Sequence, residues 1–517
     1  MKNKYTIALA ALLAITASSC TDFLDRSSVT QVTSEALFES ESSANAALMG
    51  VYDGITIGNF CARNTMIRQD LKGPDYMLYS NGGGQYFTVE YSYRESSTTY
   101  GETGEIWLPG WEIVKDANNF IANAEKLEQT AYVKDMIAQA KVCKAYAYLE
   151  LTKTFCYPPK YATLDGGVYN LGLPIMKDRQ SNIDAIVNPP VRATLTETMD
   201  YILQLLTEAL PDLDATRKDV GYWTVYGVKG MLARVNLYME NWSDALKYAT
   251  EASAGGSCIP YAQYVEKVNE KNQAESLFEM QFNINDHNSD RMIGYVYNQT
   301  MGSNGRRSGT ESKGYGDGGV SDTFLALLNE NPKDVRLGLL HEDKSSTCPA
   351  DVPLAECKHG ENGYSARFYY KFIGGQEGSP FVHNIPAVRV PEMYLIAAEA
   401  NAELGKDSDA LTWLNKVYEA RTTDKLSGLT GTALKTAIFN ERRRELIMEG
   451  FALWDFLRKD VAFTRDASHP AYVKIDPVNG RKEADFHKVV APIPLTEMDA
   501  NPNMRDQQNY GYEAYHN

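Results

Sequence analysis

The chain is short of the patterns by which catalysis usually shows itself. None of its cysteines forms a Cys-x-x-Cys pair, which excludes a zinc ribbon or a thioredoxin-like redox centre. It has no His-Glu-x-x-His, no Gly-x-Ser-x-Gly elbow and no phosphate-cradling loop ending in Gly-Lys-Ser/Thr. The common arrangements for metal hydrolysis, acyl transfer and nucleotide chemistry are therefore missing. Positive charge is scarce: 51 Lys and Arg against 67 Asp and Glu leave a formal charge of −16. That balance argues against nucleic acid, whose phosphates require a basic face. No apolar run spans a bilayer either, since Ile7 to Ala17 falls short of the roughly 20 residues needed. These absences point to a protein that binds without breaking bonds, with no cofactor and no metal.

Three local patterns imitate chemistry. Asp286, Asn288 and Asp290 copy the first half of a calcium loop, but Arg291 stands where glycine is required and Tyr297 where the bidentate glutamate belongs. Glu441, Glu445 and Glu449 recur every four residues on one helix face. No Glu-x-x-His accompanies them, so a di-iron site is not supported. With Arg442, Arg443 and Arg444 interleaved and Asp455 and Arg458 following, they read as an ion-pair lattice holding the last helices together. Gly82-Gly83-Gly84 has no strand-to-helix setting for phosphate and reads as a flexible turn.

What is present begins with a leader. Lys2 and Lys4 precede the apolar run, and Ser18-Ser19-Cys20 follows it, the pattern of a signal peptide over 1–19. Cys20 is placed as in a lipobox, where it would be acylated and become the first mature residue; Ala17 stands where leucine is commoner. Asp22 and Asp25 faintly resemble a surface-export signal, and residues 20–34 read as a polar tether. The other reading is ordinary cleavage with Cys20 incidental. The six remaining cysteines permit disulfides, and Cys348 with Cys357, in one polar loop, is the pair expected.

Beyond the tether, helical periodicity dominates. Amphipathic runs fall at Glu35 to Tyr52, Trp107 to Leu127, Ala138 to Phe155, Thr194 to Leu210, Val225 to Ala254 and Met393 to Arg421. Trp107 and Trp111 lie on helical spacing and read as core. Gly405 ends one run as a left-handed cap. Helices joined by short turns pack as αα-hairpins, and Ala233, Tyr238, Trp242 and Ala245 lie near tetratricopeptide positions. Asp70 to Glu105 and about Cys258 to Pro386 lose this period. The first reads as a long loop or irregular strands, the second as a loop-rich subdomain, too long for one loop.

Several motifs occur in one order: "F…AALMGVY", the helix with Trp107, Trp111, Val114 and Asn118, "GLPIM" at Gly172, "RVPEMYLIAAEA…LNKVYEAR", "ERRRELIMEGFALWDFLR", and a tail "PIPLTEMDANPN…QQNYGY" in which Tyr510 replaces a proline. Together they resemble the SusD/RagB family of nutrient-binding outer-membrane lipoproteins over nearly the whole chain. The resemblance implies a mainly α fold in which tetratricopeptide-like hairpins (about 35–60, 107–155, 194–254 and 388–460) form a superhelical scaffold. A loop-rich, partly irregular subdomain (about 258–386) packs on it, all within one body over 35–517. It implies capture of an oligosaccharide or polysaccharide at the cell surface and delivery to a SusC-like TonB-dependent barrel. The protein would be lipid-anchored in the outer membrane, facing outward.

Sugar recognition uses aromatic faces framed by polar groups, and two aperiodic segments offer them. One carries Tyr76, Tyr79, Asn81, Tyr86 and Tyr93; the other carries Tyr295, Tyr297, Asn298, Arg306, Arg307 and Tyr315. In the family, ligand residues come from loops in these regions. Three alternatives stand beside this reading: peptide cargo in the same importer, as in RagB-like members, a tetratricopeptide scaffold lipoprotein for envelope assembly, and a hydrolase with an undetected site. The tail motif and the tyrosine-rich loops disfavour the scaffold, and the absent motifs disfavour the hydrolase.

Overall fold

Helix boundaries in this protein follow local chemistry closely. The Thr194 hydroxyl accepts the Glu197 N–H at 3.2 Å while the Glu197 carboxylate accepts the Thr194 N–H at 2.8 Å. This reciprocal cap satisfies two donors that the first helical turn leaves open, and the helix runs Leu195–Ala209 before Pro211 diverts it. The computed structural model describes residues 37–78, 86–177, 188–283, 292–298, 314–316, 318–342, 367–373, 380–465 and 472–512. Cys20, the calcium-like Asp286–Asp290 stretch, Gly82–Gly84 and the Cys348/Cys357 pair lie outside the described residues.

The principal helices are α1 (Glu41–Thr56), α2 (Asn64–Leu71), α3 (Gly104–Ala124), α4 (Ala131–Phe155), α5 (Leu195–Ala209), α6 (Val225–Tyr238), α7 (Trp242–Ala252), α8 (Ile293–Tyr297), α9 (Asp322–Leu328), α10 (Val390–Glu403), α11 (Asp407–Thr422), α12 (Gly431–Leu446) and α13 (Ala452–Arg458). Short strands pair antiparallel: β1 (Tyr76–Leu78) with β3 (Gly318–Val320), β2 (Ser276–Met280) with β6 (Ile385–Arg389), and β4 (Leu340–Glu342) with β5 (Arg367–Tyr369). Contacts divide the chain into Met1–Ala47 and Leu48–Asn517. In the first unit, Ser40 caps α1 by accepting the Ser43 N–H at 3.2 Å. Every element after α1 belongs to the second.

That second unit is mainly α, built of stacked helical hairpins. α3 packs on α4, α4 on α5, α6 on α7, α10 on α11, and α12 on both α10 and α11. Ala398, Ala402, Ala410, Leu414, Val417, Leu434 and Ile438 form the dry seam of the last three. Gly405, between α10 and α11, has φ +73°, the left-handed cap expected of it. α7 also packs directly on α10, so everything between Ala252 and Val390 is inserted between two neighbouring helices of one stack. The β2–β6 pair closes the base of that insertion.

Some boundaries depart from the periodicity. α1 starts at Glu41 because Ser40 caps it. α4 starts seven residues before the expected Ala138, because Thr130 caps it by accepting the Val133 N–H. The 70–105 stretch is more ordered than a loop. It contains β1, a helical turn at Thr88–Tyr91 and a bridge between Ser96 and Thr99. Trp107 and Trp111 are packing residues, meeting Phe155 and Tyr148 of α4 edge-on at 4.9 and 5.6 Å. The tail motif clamps these helices. Trp107 Nε1 donates to Glu497 at 3.1 Å, and Asn509 Nδ2 donates to the carbonyls of Phe155 and Ala491.

Glu441 and Glu445 lie on α12, but the helix ends at Leu446, so Glu449 stands in the turn beyond it and not on the expected helix face. The three still form an ion-pair lattice, whose partners come from the insertion as well as from the last helices. Glu445 pairs with Arg336, Arg389 and Arg421 at 2.9, 2.5 and 3.0 Å. Arg389, closing β6, also grips Glu449 at 2.6 Å, and Arg421 reaches Glu275 at 2.6 Å. Arg336 bridges to Glu441 at 2.9 Å, and Lys371 pairs with Glu449. All these groups are buried. Burial alone would raise the Glu445 carboxyl, but Arg421, Arg389 and Arg336 hold it well below the usual carboxylate range.

Removing one member leaves buried charge without a partner, a loss of about 3–5 kcal/mol. Arg389→Ala is therefore expected to lower the urea unfolding midpoint sharply. Because Glu445 is depressed in the folded state, its contribution is complete above the unfolded carboxyl pKa of about 4.3 and is lost as pH falls through the folded value. The difference in urea midpoint between wild type and Glu445→Gln should therefore hold between pH 7 and 5 and shrink below about pH 4.

Candidate functional site

The two tyrosine-rich segments meet because β1 and β3 pair, with Tyr76 opposite Val320 and Leu78 opposite Gly318. Gly318 permits the approach, since a Cβ there would sit 2.5 Å from the Met77 carbonyl oxygen. Three expected ligand residues then come together. The rings of Tyr86 and Tyr315 lie 5.5 Å apart, and Tyr315 meets Tyr295 edge-on at 4.8 Å. Phe381 backs Tyr295 at 5.0 Å, and the Arg63 guanidinium sits 5.1 Å from the Tyr86 ring centre. Tyr315 is 40% exposed, and Tyr86 and Tyr295 are half-buried.

Four other expected residues lie in the interior, which corrects their assignment as ligand contacts. Tyr76 is wholly buried, donates to the Tyr297 carbonyl at 3.1 Å and packs its ring 4.4 Å from that of Tyr297. Tyr297 is equally buried, and burial pushes its hydroxyl well above the ordinary tyrosine value. Tyr93, at φ +53°, donates to the Lys72 carbonyl at 2.5 Å beneath the Lys72 ammonium. Asn298 donates to the Lys371 carbonyl at 3.0 Å, and its own carbonyl accepts the Gly316 N–H at 3.2 Å. A ring or amide enclosed on all sides has no face to offer a ligand, so these residues position the exposed ones. Tyr79, Asn81, Arg306 and Arg307 lie outside the described residues.

Sequence reasoning missed Arg63 and Phe381. Arg63 is buried and fixed by Asn64 and Asn59, at 2.7 and 2.9 Å. Its place beneath Tyr86 follows from tertiary packing, and neither residue has a motif around it. In α2, burial pushes the Asp70 carboxyl up to about 7, against the opposing N–H donors of Gly450 and Ala452. The face that results is aromatic, half-open and backed by an arginine. It can stack on the C–H faces of a sugar and donate or accept through tyrosine hydroxyls. Cys61, Cys143, Cys156 and Cys258 are free thiols. Among the described residues no helix is long and apolar enough to cross a membrane.

Comparison with known proteins is consistent along the chain. Residues 22–237 match a family described as "Starch-binding associating with outer membrane", and residues 355–512 match the SusD family. SusD-like protein P25 of Formosa agariphila is 21% identical, with the match covering 96% of this chain and 97% of the relative. A SusD superfamily protein of Bacteroides thetaiotaomicron has the same fold at a TM-score of 0.76 and 25% identity, over 91% of this chain and 99% of its own. A laminarin-binding SusD-like protein shares the fold at a TM-score of 0.65 and 19% identity, over 91% of this chain and 99% of its own.

The supporting role of Asn298 is testable by itself. Asn298→Ala strands the buried Lys371 carbonyl, at a cost of about 1–3 kcal/mol. The expected result is a lower thermal midpoint with α-helical circular dichroism retained. An unchanged midpoint would show that Asn298 holds nothing in place.

Proposed function

Because the chain belongs to the SusD family, we propose that it captures an oligosaccharide or polysaccharide nutrient and hands it to a SusC-like TonB-dependent barrel for import. The observation that carries the reading is the convergence of Tyr86, Tyr295 and Tyr315, from two segments distant in sequence, on one half-open face. A few aromatic anchors supply most of the binding energy in such a face, which suits capture from dilute solution. No bond is broken; the chemistry is binding and release. In this reading residues 1–19 are a leader, Cys20 carries the lipid, 20–34 form the tether, and 35–517 form the body. The protein lies on the outer membrane, facing outward, and the barrel takes the ligand from it.

The description of the matched N-terminal family supports starch-like ligands and an outer-membrane setting. Peptide cargo remains the second reading of the same importer, since tyrosine faces also receive apolar side chains.

Affinity electrophoresis of the purified protein against a polysaccharide panel that includes starch and laminarin tests the proposal. One polysaccharide class should retard it, and Tyr86→Ala with Tyr315→Ala should release that retardation with the unfolding midpoint intact. The double variant is expected to bind at least tenfold more weakly, in line with loss of two anchors. Retardation unchanged in the double variant would move the site elsewhere, and binding to mixed peptides alone would change the cargo. For the anchor, Cys20→Ala should abolish incorporation of labelled fatty acid, and persistent labelling would overturn it.

A further inference from the structure

A groove of about 580 Å³ opens between the C-terminal end of α1, the 219–222 turn and the end of β2. That is the size of a ligand pocket. Its lining mixes polar groups with apolar ones: Met49 is half-buried and Ile57 exposed, while Met280, Phe282 and Met292 are buried. Asp53 and Asp219 stand exposed on its rim, and neither forms an ion pair with a described residue. Glu279 also lines it, but its oxygens already accept the N–H groups of Asn272 and Gln273 and the Asn384 amide, at 2.7, 3.2 and 2.8 Å.

No lysine, arginine or histidine is among the described residues lining the groove. Two neighbouring cations are engaged: Lys271 donates to the Phe282 carbonyl at 2.6 Å, and Arg217 pairs with Asp135 at 2.7 Å. α1 ends here without a basic residue in its last turn. The partial negative charge of its terminal carbonyls therefore adds to the carboxylates.

We infer that this groove docks an internal segment of another polypeptide, one carrying Lys or Arg beside an aliphatic or aromatic side chain. Met49, beside the exposed Ile57, adapts to such a side chain, and the exposed carboxylates of Asp53 and Asp219, the latter also accepting the Gly221 N–H at 2.9 Å, meet its charge. A glycan fits less well. Tyr52, Phe278 and Phe282 are buried, and Arg217 lies over the ring of Tyr222, the remaining aromatic. A free peptide fits less well too, since its terminal carboxylate would meet aspartates and no cation.

Fluorescence anisotropy with the purified protein tests this, using fluorescein-labelled Lys-Leu-Phe-Lys capped as the C-terminal amide. Saturable binding is expected, weakened by added NaCl and at least tenfold weaker in Asp53→Asn/Asp219→Asn. The Glu-Leu-Phe-Glu amide should not bind, and the free-acid form of the basic peptide should bind more weakly. Equal binding of the acidic peptide, or unchanged affinity in the double variant, would overturn the proposal. Displacement by laminarin would assign the groove to sugar, and tighter binding of the free acid would assign it to peptide cargo; either outcome refutes docking of a partner segment. The salt dependence is read on wild type, so the proposal stays falsifiable if the variant folds poorly.

Discussion

Glu445 places one carboxylate in the interior among the guanidinium groups of Arg336, Arg389 and Arg421, and the geometry of the insertion depends on that meeting. Two of the carriers, Arg336 and Arg389, belong to the insertion and its closing strand; Arg421 and Glu445 belong to the helical stack. Desolvating four charges costs several kcal/mol each, and the cost is recovered only when all partners are in place with good geometry. Such a junction tolerates one arrangement. It therefore fixes how the block between α7 and α10 sits against α11 and α12, more strictly than apolar packing alone would.

The consequence reaches the tyrosine face through a short chain of contacts. Lys371 is tied to the lattice by its pair with Glu449, and its carbonyl accepts the Asn298 amide. The Asn298 carbonyl accepts the N–H of Gly316, next to Tyr315, and the Tyr315 N–H donates to the Tyr295 carbonyl at 2.8 Å. The residues proposed to bind ligand are thus held by buried polar groups beneath them, an arrangement that would lower the entropy lost when a ligand orders the face. The interior tyrosines, Tyr76 and Tyr297, serve the same end.

The helical stack was legible in the sequence because its signals are local. Periodicity marked the hairpins, and Gly405 marked a turn. The Glu441–Glu449 row was readable as an ion-pair lattice because arginines alternate with the glutamates. Its distant partners, Glu275, Arg336, Lys371 and Arg389, were not readable, since nothing local distinguishes a charge that will be buried. The site was half legible for the same reason. Composition singled out both tyrosine-rich segments, and Tyr86, Tyr295 and Tyr315 do converge. Which residues would be enclosed depended on tertiary packing around β1 and α8, and Tyr76, Tyr93, Tyr297 and Asn298 lie buried. Strands of three residues carry too little alternation to reveal a register.

Hydrogen exchange on Glu445→Ala tests most directly whether the lattice holds the insertion on the stack. The expected result is lost protection across the β2–β6 pair, α8 and the Tyr315 segment, with α3 to α6 protected as in wild type. Protection unchanged in the insertion, or lost evenly along the whole chain, would show that the lattice does not set its position.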